Sequence, residues 1–181
     1  MANSVDDLIK AFAISLNGDW SQTLSGQERI WFLVYPPDMQ RKIDFRLGDF
    51  ENITNKAGKK WKQFSLKNSF PDWMANHEYS EEYFQDPEAL LDQLEGEFKT
   101  FIVNQLNKSI SDAAPDQDTL IVITDVSAIF GFGRLSDILN QIARHIPGRL
   151  LVFFPGEFEK NQFRLLDARD GWSYLARPIT A

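Results

Sequence analysis

The run Thr119-Leu120-Ile121-Val122-Ile123-Thr124, followed by Asp125-Val126-Ser127-Ala128-Ile129-Phe130-Gly131-Phe132-Gly133, decides how this chain folds. The first segment is apolar and β-branched without alternation, the pattern of a strand buried on both faces. Gly131 and Gly133 give the backbone the freedom for a tight strand-to-helix turn. From residue 134 to 146, Leu135, Ile138, Leu139, Ile142 and Ile146 recur at helical spacing, and Pro147-Gly148 ends that helix. Residues 149–154 (Arg149-Leu150-Leu151-Val152-Phe153-Phe154) are a second buried strand, closed by Pro155-Gly156. Strand, helix and strand in this order specify a parallel pair joined by a crossover helix. Beyond it, residues 162–166 and 173–177 flank Asp167-Ala168-Arg169-Asp170-Gly171 and read as an antiparallel hairpin.

The same grammar extends upstream. Val5, Leu8, Ile9, Phe12 and Leu16 fall at helical spacing behind Ser4 as a cap, and Gly18 stops that helix. Ile30-Trp31-Phe32-Leu33-Val34-Tyr35 is another continuous apolar strand, ending in Pro36-Pro37. Asp38 caps a helix carrying Met39, Ile43, Leu47 and Phe50, which ends near Lys56-Ala57-Gly58. Residues 61–66 alternate imperfectly, as a strand near a sheet edge does. Residues 69–83 mix aromatics with acids and declare no element. Asp86-Pro87-Glu88 then opens a long helix, with Pro in the first turn where its missing N–H costs nothing. Its stripe of Leu90, Leu91, Leu94, Phe98, Phe101, Ile102 and Leu106 runs on until Ala113-Ala114-Pro115-Asp116 breaks it. The expectation is one α/β domain over residues 1–181, with a mostly parallel central sheet and helices on both faces. The arrangement is P-loop-NTPase-like without a P-loop, and an antiparallel hairpin closes the C-terminal end.

A chain of 181 residues with 15 Phe and 5 Trp has the material for a core that hides about 70% of the unfolded surface. The absence of cysteine excludes disulfides, thiolate metal sites and cysteine nucleophiles. The N-terminus carries acids rather than a basic segment followed by an apolar one, so it is not a secretory signal. No apolar run approaches the ~20 residues of a membrane helix. A cytoplasmic protein without membrane association is expected.

The net charge of −7 repels nucleic acid at long range, and direct nucleic-acid binding is not expected. Charge is nonetheless segregated. Lys and Arg dominate from Arg41 to Lys67, whereas Asp72 to Glu97 holds acids and no Lys or Arg. Such blocks are solvated faces of neighbouring elements that complement each other, or else a bipolar surface for partners.

In open parallel sheets, ligands bind outside the carboxyl ends of the strands. Three loops qualify: after Tyr35, from Asp125, and from Pro155. A phosphate loop needs glycines and a Lys after the first strand. Pro36-Pro37-Asp38-Met39 supplies neither, so no such loop is present. Asp125 stands where Mg²⁺-holding acids stand in P-loop enzymes, but an Asp satisfying loop N–H groups at a strand end is the simpler reading. Glu157 follows Pro155-Gly156, and together Asp125 and Glu157 are the one carboxylate pair suited to metal binding or acid–base work. That pair defines the alternative to a binding protein: a small metal- or nucleotide-dependent enzyme. His77 and His145 lie in different elements, and His145 suits a helix C-terminus. Gly131-Phe132-Gly133 begins a dinucleotide fingerprint but lacks its third glycine.

The segment from Leu120 through Asp125-Val126-Ser127-Ala128-Ile129-Phe130-Gly131-Phe132-Gly133-Arg134-Leu135 resembles the BrxB family of bacterial BREX phage-exclusion systems. Two further segments are similar to that family: Leu151-Val152-Phe153-Phe154-Pro155-Gly156-Glu157, and Trp172-Ser173-Tyr174-Leu175-Ala176-Arg177-Pro178-Ile179. Asp125 and Ser127 stand where the family pattern has glycines, and Leu175-Ala176 alters its terminal aromatic run. The resemblance covers residues 119–179. It implies a small core component of an anti-phage system with no assigned catalytic activity and no cofactor or metal. The partners it implies are a PglZ-type protein, a large P-loop ATPase and an adenine-specific DNA methyltransferase. On this reading the chain is a non-catalytic adaptor. Its expected interaction surface is Asp125, Ser127, Phe130, Phe132, Arg134, Pro155, Gly156 and Glu157.

Overall fold

β1 (Ile30–Tyr35) and β3 (Thr119–Thr124) are buried at every residue, as their unbroken apolar runs require. Both therefore lie inside a sheet. The computed structural model describes residues 4–21, 28–166, 168 and 176–181. With β2 (Lys60–Ser65), β4 (Arg149–Glu159), β5 (Gln162–Leu165) and β6 (Arg177–Ile179), the sheet has the order β2-β3-β4-β1-β6, and β5 pairs with β4 off this path. All pairings along the main order are parallel. β2 is an edge strand, as its imperfect alternation indicates, and β1 and β3 both lie beside β4.

Alternation along the strands sorts the core into two layers. Phe32, Ile121, Ile123, Val152 and Phe154 face one side, while Trp31, Leu33, Leu120, Val122, Leu151 and Phe153 face the other. The second side is covered by α1 (Val5–Leu16) and α2 (Gln40–Lys56), through Leu8, Phe12, Ile43 and Phe50. The first side is covered by α3 (Ser69–Ala75), α6 (Lys99–Asp112) and α7 (Leu135–Ala143). Between α3 and α6 lie two short helices with no buried residue, α4 (Ser80–Gln85) and α5 (Pro87–Gln93). Helices thus cover both faces of a mostly parallel sheet.

The N-terminal signals act as read. Ser4 Oγ accepts from Asp7 N at 3.1 Å, and the Asp7 carboxylate returns the bond in a capping box. Asp86 accepts from Glu88 N at 3.2 Å, with Pro87 opening the helix. Asp38, by contrast, lies in a 3-10 turn, Pro37–Met39, and makes no cap for α2.

Several boundaries differ from expectation for identifiable reasons. The long helix from Asp86 is interrupted by a π-helical turn, Leu94–Phe98. The buried residues Leu94, Phe98, Ile102, Leu106 and Ile110 recur every fourth position, and that spacing drifts around a helix of 3.6 residues per turn. One wider turn takes up part of the drift.

β4 does not close at Pro155-Gly156. It runs on to Glu159, turns through Lys160 and Asn161, and pairs with β5. Lys160 and Asn161 have φ of 50° and 64°, the left-handed pair that a two-residue hairpin demands. A C-terminal hairpin therefore exists, and the strand paired with β5 in it is the far end of β4. Arg177 instead opens β6, parallel to β1 on the sheet's other side, because a strand buried throughout needs a neighbour on both edges. Residues 173–175 lie outside the described residues.

The opposite charge blocks do not complement each other. Lys59 and Lys60 pair with Asp118 and Asp116, and Arg46 pairs with Asp6 and Asp49. Among the described residues no ion pair joins residues 41–67 to residues 72–97.

Candidate functional site

At the end of β1, the position a phosphate loop would occupy is filled by protein. Tyr35 Oη donates to Gln40 Oε1 at 2.8 Å, and Gln40 Nε2 donates to Asp44 Oδ1 at 2.7 Å. Burial pushes the Tyr35 hydroxyl well above its ordinary pKa, and the carboxylates of Asp44 and Asp125 push it further. Pro36 and Pro37 offer no N–H, so the place suits neither a phosphate nor any other anion.

Asp125 follows β3 with φ of 59°, a left-handed conformation that Asp tolerates better than most residues. Its Oδ2 accepts from Ser65 Oγ at 2.5 Å and from Thr124 Oγ1 at 3.1 Å. Ser65 ends the edge strand, so this carboxylate ties β2 to the loop after β3. The strand-end role is thus directly visible, though its donors are hydroxyls rather than loop N–H groups. A 3-10 turn, Val126–Ile129, buries Val126 and Ile129 and leaves Ser127 half-buried.

The next residues divide two neighbouring aromatics. Phe132 stacks on Phe70, with centroids 4.7 Å apart and planes 2° from parallel, and meets the edge of Phe98 at 6.1 Å. Phe130 is 41% exposed. Gly131, with φ of 82°, reverses the chain between them, a conformation a side chain resists. Arg134 is the exposed, extended residue ahead of α7.

Phe130, Arg134, Leu135 and Ile129 line a cleft of about 390 Å³, together with Glu95 of the π turn and Leu165 of β5. The apolar floor between an acid and a base suits a protein side chain flanked by polar groups.

Pro155 and Gly156 are buried and build the support for that cleft. Pro155 O accepts from Leu166 N at 2.8 Å, and Gly156 pairs with Leu165. A Cβ on Gly156 would meet Arg164 O at 1.9 Å, so only glycine lets the two backbones approach. Pro155 and Gly156 are thus part of a strand, not of an open loop. Glu157 is exposed and sits opposite Arg164 in the hairpin.

The eight expected surface residues therefore separate. Phe130 and Arg134 share the cleft; Pro155 and Gly156 bond or pair with Leu166 and Leu165 next to it, Phe132 packs on Phe70 and Phe98, and Ser127 is half-buried. Asp125 is engaged by hydroxyls, and Glu157 belongs to the hairpin. Among the described residues no group of three His, Asp or Glu is placed to hold a metal ion. Glu95, Leu165 and Ser65 escaped the sequence reading. Each reaches the site through a tertiary neighbour: the π turn, the hairpin and the β2–β3 pairing.

No helix among the described residues is long and apolar enough to cross a membrane. No curated protein and no solved structure matches the chain. A family model does match, described as BREX protein BrxB and covering residues 64–177. That match takes in β2's end, the Asp125–Arg134 loop, α7, β4 and the β4–β5 hairpin, the parts that build the cleft. The chain belongs to the BrxB family of BREX proteins.

Proposed function

We propose that this chain is a non-catalytic adaptor of a BREX anti-phage complex, docking a partner protein at the Phe130–Arg134 cleft. The observation that carries this reading is the exposure of Phe130 beside its buried neighbour Phe132. A large aromatic held out by a left-handed glycine gives up the burial that its neighbour obtains, and contact surfaces have this feature. Arg134 and Glu95 at the rim supply opposite charges that orient what enters. The partner classes are the other proteins of such a system: a PglZ-type protein, a large P-loop ATPase and the DNA methyltransferase.

The test is co-purification from the native host at moderate salt, comparing the natural chain with Phe130→Asp and Arg134→Glu. Recovery of a BREX protein in fixed ratio, lost in both variants while the melting temperature of Phe130→Asp stays unchanged, is the expected result. Capture that survives both substitutions places the contact elsewhere. Turnover by the isolated chain with Mg²⁺ or Mn²⁺ and a nucleotide panel overturns the non-catalytic reading.

A further inference from the structure

α4 and α5 are in contact with each other and contain no buried residue. Half-buried Tyr83 and Leu90 hold them to the first side of the sheet, with the Tyr83 ring 6.5 Å from that of Trp73. The residue after each lies outside: Phe84 is 76% exposed and Leu91 62%. Single apolar residues scattered on a surface need no explanation, but two large ones on adjoining helices that bury nothing do. Each also follows an exposed carboxylate by one helical turn, Glu81 before Phe84 and Glu88 before Leu91.

The surroundings are uniformly acidic. Asp72 to Glu97 holds nine acids, all exposed, and no Lys or Arg. Among the described residues no Lys or Arg pairs with any of them, and Glu97 meets only His77, at 2.9 Å. Burial, and then the carboxylates of Glu97 and Glu82, raise the Tyr83 hydroxyl above its ordinary pKa, so the negative field reaches the inner side of α4. Among the described residues these acids form no group that could hold a metal ion. Like charges left unpaired on one face repel each other, and a cationic partner relieves that repulsion.

We infer that α4 and α5 form the docking face for a basic amphipathic helix of a partner protein. Phe84 and Leu91 meet its apolar stripe, and Glu81, Glu82, Glu88 and Asp92 meet the Lys and Arg beside that stripe. Charge selects the partner, since the same carboxylates repel nucleic acid, an anionic membrane and an acidic protein. A helix is the form that fits. The backbones of α4 and α5 bond internally and offer no strand edge, so recognition runs through side chains, as it does when an amphipathic helix is captured. The inference is independent of the Phe130 cleft and stands if nothing docks there.

The probe is a fluorescent peptide of about 18 residues, Leu and Lys arranged as an amphipathic helix, titrated with the full chain and read by anisotropy. Two controls keep the length: the same residues in an order that destroys the apolar stripe, and Glu in place of Lys. The amphipathic Lys peptide should bind at micromolar concentration and lose affinity as salt rises from about 50 to about 500 mM. Neither control should match it. Phe84→Ser and Leu91→Ser should each weaken binding by about 10-fold, the scale of one large apolar side chain left in water. Their melting temperatures should not move, because both residues are exposed. Glu81→Lys combined with Glu88→Lys should weaken binding through charge alone. No binding at about 100 μM, equal binding of the reordered peptide, or indifference to both serine variants overturns the inference. So does a concentration-dependent dimer of the chain alone that the serine variants abolish, since the face would then belong to a second copy.

Discussion

The hydroxyl of Ser65, at the end of the edge strand, donates a 2.5 Å hydrogen bond to Asp125 Oδ2, on the first residue past the neighbouring strand. β2 contributes little to the core through its own side chains, since its residues are exposed or half-buried. Its far end is held by this contact and by Leu66 N donating to Thr124 O at 3.1 Å. Removing the hydroxyl with Ser65→Ala should cost about 1 kcal/mol, the usual worth of such a bond. Asp125→Ala should cost more, about 2–3 kcal/mol, because it loses both hydroxyl contacts and places alanine at φ of 59°. Urea unfolding of the two variants checks the order. A neutral Asp125→Ala would leave Asp125 without a structural role and return it to the list of candidate metal ligands.

Phe130 and Phe132 should behave oppositely. Phe132→Ala removes a ring stacked on Phe70 and touching Phe98, and should destabilise by about 2–3 kcal/mol. Phe130→Ala should stay within about 0.5 kcal/mol, as substitutions at exposed positions do. Thermal melts read the first effect and partner capture reads the second. Equal loss of stability in both would mean that Phe130 is core and that the cleft is no docking surface.

Gly156→Ala is expected to be among the most damaging single-methyl changes in the chain. The added Cβ would sit 1.9 Å from a backbone oxygen of the paired strand, which cannot swing aside as a side chain would. A cost on the order of 3 kcal/mol follows from overpacking of this kind, and the hairpin should open first. Amide exchange at Leu166, whose N–H bonds Pro155 O, reports that opening directly.

Asp116 offers a pH test. A hydrogen bond from Lys60, reinforced by the Thr119 hydroxyl, lowers its carboxyl to about 2. The folded value lies below the unfolded value of about 4, so the contribution to stability is present above pH ~4. It is lost as pH falls through about 2. Carbon-detected NMR titration should place Asp116 near 2 in the natural chain and nearer the ordinary carboxylate range in Lys60→Met. An unchanged value in that variant would assign the shift to Thr119 instead.

Much of the architecture was legible because burial is written in composition. Ile30–Tyr35 and Thr119–Thr124 carry no polar alternation, so they had to be interior strands of a covered sheet. Ser4 with Asp7, and Asp86 with Pro87, announced helix starts through local hydrogen bonding that any chain with those residues can make. Pro36-Pro37 excluded a phosphate loop for the same local reason.

The amino-acid sequence by itself determined the interior strands β1 and β3, the helix starts at Ser4 and Asp86, the lack of a phosphate loop and the family. Each depends on contacts within a few residues or on the hydrophobicity of a single segment. Tertiary structure alone decided which strand pairs with Gln162–Leu165, because Pro155 and Gly156 read locally as a stop and become strand only when Arg164 lies alongside. It alone separated Phe130 from Phe132, since two identical rings flanking one glycine differ only in whether Phe70 is there to receive them. It also brought Glu95, Phe130 with Arg134, and Leu165 to one cleft from three distant stretches of chain. Sequence spacing carries no information about such a meeting, because packing of helices on a sheet creates it.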